Sequence, residues 1–206
     1  MDSRALGLYV AASLALIVTP GQDMLYVVSR SLAQGRLAGV CSALGVSLGI
    51  LVHTALAALG VGALIHAVPS LFVVLRIAGA AYLVWLGVRM LVVSPRLAPR
   101  GGTRVPLLTV VREGILSNVS NPKIALFFVA FLPQFVDPAS AHATRDLVLL
   151  GVLYAALALP VKAAVGIAAG AFAERLARSS AAIAWMNRVG ATVLVALGLR
   201  LAVGGR

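Results

Sequence analysis

Apolar residues run through this chain in long blocks, and the polar residues fall between them. Blocks bounded by charges or turn residues give six segments, at about 5–29, 39–64, 70–92, 112–136, 147–171 and 183–204. Each is close to the ~20 residues that a helix needs to cross a bilayer. The pattern predicts an all-α polytopic membrane protein with six transmembrane helices. No Asp, Glu, Lys or Arg lies between Arg36 and Arg76. That span is too long for one crossing and too short for two complete ones, so a tight turn is expected near His66, Ala67, Val68 and Pro69. Ala5 to Val18 has the length of a signal-peptide core, but no small-residue cleavage site follows it, and it reads as a membrane helix.

Composition agrees with this picture. The 206 residues are 61% hydrophobic and only 11% charged, where a soluble domain carries about 25% charged residues. The net charge of +11 would fit nucleic acid if the basic residues formed a patch on a folded domain. They sit instead at the ends of apolar blocks, which argues against such a partner. Arg30 and Arg36 flank the first connection, Arg89, Arg96, Arg100, Arg104 and Arg112 the third, and Arg175, Arg178 and Arg188 the fifth. The second has none before Arg76, and the fourth has Arg145 beside Asp137 and Asp146. Positive-inside bias puts connections one, three and five in the cytoplasm and both termini outside. Arg76 and Arg188 are expected to snorkel to opposite faces. The single Cys41 excludes an internal disulfide and reads as a small apolar helix residue.

The chain also repeats itself. Gly79 to Arg89 (GAAYLVWLGVR) and Gly190 to Arg200 (GATVLVALGLR) share seven identities in one register, at an offset of 111 residues. Three crossings per half is an odd number, so the second half enters the membrane the other way up. The expected plan is a single transmembrane domain of two inverted three-helix repeats with broken first helices. Repeat one covers about 1–93, a basic cytoplasmic linker about 94–111, and repeat two about 112–206.

Two polar breaks interrupt this plan. Thr19, Pro20, Gly21, Gln22 and Asp23 break the first segment, and Asn118 to Lys123, with Asn121 and Pro122, breaks the fourth. Non-helical backbone at membrane depth is tolerated only where protein buries it or a cavity is present. Thr19 is expected to cap a helix starting at Pro20, with Gln22 at capping-box spacing. Asn121 and Pro122 offer the matching cap and first residue. Two helix N-termini would then face one region, an arrangement suited to a carboxylate.

Asp23, Lys123 and Lys162 lie inside apolar segments, where a charge costs at least ~2.5 kcal/mol and normally pairs or lines a pathway. At helical rise, Asp23 lies about 10 Å from Arg30 and Lys123 about 16 Å from Arg112, so the two could meet at similar depth. The expectation is that Asp23 binds a substrate ammonium or carries a proton, with Lys123 as its partner; a purely structural ion pair is the alternative. Lys162, two residues after Pro160, reads as cavity-facing or snorkelling, and His53 as a helix-to-helix hydrogen bonder or a proton relay. His66 and His142 read as loop residues. Gly35 with Gly39, Gly45 with Gly49, and Gly166 with Gly170 have the spacing of close helix packing. No catalytic constellation, metal-ligand spacing or phosphate loop is present, and no cofactor is expected.

These residues resemble the LysE/RhtB family of bacterial amino-acid exporters. The resemblance rests on Thr19 to Asp23, on Gly79 to Gly87, on Gly114 to Asn118 with Asn121, Pro122 and Lys123, and on Phe127 to Val136. Gln22 stands where that family commonly has a second proline, so the first break is less rigid here. The resemblance implies secondary active export of an amino acid or close derivative across the bacterial cytoplasmic membrane, by proton or ion antiport. A small molecule and the lipid bilayer would be its partners; the amino acid and any association between copies stay open. Two buried lysines make a dicationic substrate less comfortable. An exporter of cations such as cadmium would want softer or clustered ligands, a membrane thiol–disulfide carrier needs paired cysteines, and a non-transporting scaffold leaves the buried charges without a purpose.

Overall fold

The computed structural model describes residues 3–61, 69–92, 104–137, 140–171 and 180–203. Among the described residues the chain is almost wholly helical, without strands. In order, the elements are α1 (Ser3–Val18), α2 (Gln22–Gln34), α3 (Arg36–Leu56), α4 (Pro69–Val92), α5 (Leu107–Val119), α6 (Pro122–Leu126), α7 (Ala143–Ala171) and α8 (Ser180–Val203). A π-helical stretch, Ala57–Val61, continues α3; another, Phe127–Phe131, continues α6 and leads into a 3-10 turn at Leu132–Phe135.

Helices thus occupy the described part of all six predicted segments, the two breaks aside, but glycine and proline set their ends, not charge. α2 runs past Arg30 and stops at Gly35, whose φ of +90° is the one positive value among the described residues. Only glycine holds that angle without strain. α5 begins directly after Pro106, so Arg112 and part of the expected linker are helical. The turn expected at 66–68, linker residues 93–103, and Arg175 and Arg178 lie outside the described residues.

Among the described residues, two helical stretches are long and apolar enough to cross a bilayer, Arg36–Gly60 and Ala143–Ala171. Two bent pairs raise the number of candidate spans to four: Arg4–Val18 with Gln22–Gln34, at 49°, and Leu107–Val119 with Pro122–Phe135, at 52°. Packing follows the logic of lipid. On α3, Leu44, Leu48 and Leu51 face outward, while Ser42, Gly45, Val46 and Gly49 are buried. Apolar surroundings give no hydrophobic reward for helix association, so small residues that admit close backbones do the packing. Gly39 meets Gly166 of α7, and Gly45 meets Gly114 of α5. An aromatic cluster fills the remaining core: Tyr9, Phe127, Phe128, Phe131 and Tyr154 are all buried. Tyr9 satisfies its hydroxyl by donating to the Leu150 carbonyl at 2.7 Å.

α4 and α8 pack antiparallel through reciprocal glycine contacts. A methyl group placed on Gly87 would lie 2.7 Å from Val195 Cγ2 and 2.8 Å from the Ala191 carbonyl oxygen. One placed on Gly198 would lie 2.7 Å from Val84 Cγ2 and 2.8 Å from the Ala80 oxygen. Each residue in one contact is 111 positions from its counterpart in the other. Gly79 against Ala130 and Gly190 against Thr19 repeat the exchange at the same offset.

Candidate transport site at the helix breaks

The first break is Thr19–Gly21. Thr19 does not cap α2, contrary to the sequence reading. Its hydroxyl donates backward to the Ala15 carbonyl at 2.7 Å, and its amide donates to the same oxygen at 3.1 Å. The side chain therefore finishes α1, and Gly21, in extended conformation and with no side-chain cap, precedes α2 at Gln22. Gln22 is exposed, whereas Asp23, one residue later, is buried.

The second break follows the sequence reading. Asn121 Oδ1 accepts the Lys123 amide at 3.1 Å and Pro122 opens α6. Lys123 then crosses to the first break. Its Nζ donates to the carbonyl oxygens of Thr19 at 3.2 Å and Leu16 at 3.4 Å. Those carbonyls end α1 and carry the negative pole of its dipole, a place that favours a cation.

Asp23 pairs with Lys162, not with Lys123. Lys162 Nζ stands 3.8 Å from Asp23 Oδ2, and Asn118 Nδ2 donates to the same oxygen at 2.8 Å. Lys123 is drawn off by the carbonyls at the end of α1, which leaves the carboxylate to the lysine of α7. His53 completes the cluster from α3, with Nε2 3.1 Å from the Asn118 carbonyl oxygen. That oxygen can only accept, so Nε2 carries the proton. Gly49 makes room for Asn118: a methyl there would lie 2.7 Å from Asn118 Cβ. All of Asp23, Asn118, Lys123, Lys162 and His53 are buried.

The two breaks meet in space. The offset of 111 carries Thr19 to Ala130, next to the junction of the π stretch with the 3-10 turn, and carries the second break back to residues 8–10, inside unbroken α1.

A cleft of about 290 Å³ lies beside the junction. Pro20, Gly21 and Gln22 line it from the first break and Asn121, Pro122 and Lys123 from the second. Leu25 of α2 and Tyr82, Leu86, Arg89 and Met90 of α4 complete it. Sequence reasoning missed the α4 residues, because an apolar helix gives no sign of which side faces a cavity. Lys162 was singled out but not matched to Asp23; its position two residues after Pro160 was the available signal.

At the other end of α2, Arg30 forms an ion pair with Glu113 of α5, and Tyr26 donates to the Val110 carbonyl at 2.7 Å. Gln34 Nε2 donates to the Val105 carbonyl at 2.9 Å. The broken helices of the two halves are therefore tied together both at the breaks and one helix length away.

No solved structure matches this chain significantly. An uncharacterized membrane protein of Pseudomonas aeruginosa is 36% identical over 94% of this chain and 93% of its own length. A leucine efflux protein of an Enterobacter species is 33% identical over 69% of this chain and 68% of its own length. A leucine efflux protein of Klebsiella pneumoniae is 35% identical over 63% and 62%. The LysE type translocator family matches residues 14–205, and with coverage of nearly the whole chain, breaks and buried charges included, this protein belongs to that family.

Proposed function

We infer that this protein exports an amino acid or a close derivative across the bacterial cytoplasmic membrane, by proton or ion antiport. The observation that carries the reading is the junction of the breaks: Asn118 reaches Asp23, and Lys123 reaches the carbonyls of Leu16 and Thr19. Charged groups and broken backbone at one place in an apolar bundle are what a translocation site requires. Membership of the LysE type translocator family and the similarity to leucine efflux proteins support amino acids as the cargo.

In this reading the six helical regions are six crossings, arranged as two inverted halves with both termini outside. The reciprocal contacts of Gly87 and Gly198 support it. A two-fold axis that exchanges antiparallel helices is perpendicular to both, and for membrane-spanning helices such an axis lies in the membrane plane. Asp23 is the group whose protonation would couple transport to the gradient, because a proton on it releases Lys162.

The test is efflux from cells loaded with dipeptides of different amino acids, with and without this protein. Accelerated efflux of one or more amino acids is expected, and it should disappear in Asp23→Asn. Equal efflux with and without the protein, for every amino acid tried, would overturn the reading.

A further inference from the structure

Among the described residues, two ammonium groups and one carboxylate are buried at the junction. Asp23 neutralises Lys162 at 3.8 Å, which leaves Lys123 with carbonyl dipoles alone. Lys123 lines the cleft, as does Asn121, and Asp23 does not. Asn121 is 3% exposed, its Oδ1 is committed to capping α6, and its Nδ2 has no acceptor among the described residues. A buried donor without an acceptor is costly. Arg89 adds a third donor group on the α4 side, with its guanidinium carbon 5.3 Å from the Trp85 ring centroid. No Asp or Glu is among the described residues lining the cleft. The donors together call for an anion.

The rest of the wall is apolar. Leu25, Leu86, Met90 and the Tyr82 ring stand beside the prolines of the breaks. A volume near 290 Å³ falls at the small end of the range for ligand sites, about 300–1,000 Å³. That suits a molecule of single-residue size. We propose that this cleft recognises an aliphatic amino acid, with Asn121 Nδ2 and Lys123 Nζ taking its carboxylate and the α4 residues Tyr82, Leu86 and Met90 selecting its side chain. The proposal rests on the export reading above and adds to it the substrate class and the specificity-determining surface.

The test uses the full-length protein in lipid nanodiscs, with calorimetric titration of leucine, alanine and lysine and of isopentylamine, which has leucine's side chain but no carboxylate. Leucine should bind most tightly, and lysine and isopentylamine at least about tenfold more weakly. Asn121→Asp keeps the capping oxygen of α6 while replacing the free donor with an acceptor, so the fold is kept and leucine binding should fall at least about tenfold. Leu86→Ala should narrow the preference for leucine over alanine, and Leu86→Trp should reverse it; one methylene in an apolar pocket is worth about tenfold or more. Unchanged leucine binding in Asn121→Asp overturns the carboxylate assignment, even if Leu86→Trp fails to fold. An unchanged leucine-to-alanine ratio in Leu86→Ala overturns the α4 surface. If cells export amino acids but leucine binds no better than lysine, the cleft is wrong and the export reading stands. If no amino acid is exported, the export reading itself has failed.

Discussion

Lys162 Nζ lies 3.8 Å from Asp23 Oδ2, with both side chains almost wholly buried and set on helices from opposite halves of the chain. Removing one member of such a pair leaves an uncompensated charge, at a cost of about 3–5 kcal/mol, whereas replacing both is close to neutral. Lys162→Met should therefore lower Tm in detergent sharply, and adding Asp23→Asn should restore most of the loss. A double variant no more stable than Lys162→Met would show that the two groups are not coupled.

Gly49 gives Asn118 its space. A methyl at Gly49 would lie 2.7 Å from Asn118 Cβ and 2.9 Å from its Oδ1. Overpacking of this kind costs about 1–3 kcal/mol, and here it also pushes Asn118 off Asp23. Gly49→Ala should lower Tm and reduce efflux together. Gly7→Ala is the control, since a methyl there meets nothing within 4 Å; it should leave efflux unchanged and should not lower Tm.

Thr19 offers a test of its role at the break. A side chain capping α2 would contribute about 1 kcal/mol, lost on replacement. Here its hydroxyl shares the Ala15 oxygen with the Thr19 amide, which stays when the hydroxyl goes. Thr19→Val is expected to cost under ~1 kcal/mol by chemical denaturation. Gly190→Ala should cost more, because its methyl would come within 2.8 Å of Thr19 Cγ2. The reverse order would restore the capping role.

Gly87 and Gly198 occupy matching environments. Their nearest contacts agree within about 0.1 Å, on residues that correspond at the repeat offset. Gly87→Ala and Gly198→Ala should each destabilise by about 1–3 kcal/mol, and by similar amounts. Clearly unequal losses in thermal melting would argue that the α4–α8 contact is not a structural repeat.

The sequence made the helical regions legible because lipid demands long apolar blocks, and the reciprocal α4–α8 contact appears as the shared GAAYLVWLGVR and GATVLVALGLR register. The buried charges were legible as anomalies, but their partners were not. Depth estimated from helical rise placed Asp23 level with Lys123, and it contains nothing about the direction of either side chain. What decided the pairing was the end of α1, whose carbonyls take Lys123 and leave Asp23 to Lys162. Thr19 and Asn121 show the same limit at shorter range. Both precede a proline, yet one side chain closes the helix behind it and the other opens the helix ahead.

The hold of Lys123 on Leu16 and Thr19 has a consequence for biogenesis. These oxygens are synthesised before the group that satisfies them, which lies 107 and 104 positions later in the chain. Until that lysine arrives, those oxygens need another donor, such as water. A chain truncated before Lys123 lacks this donor and should be degraded faster than the full-length protein.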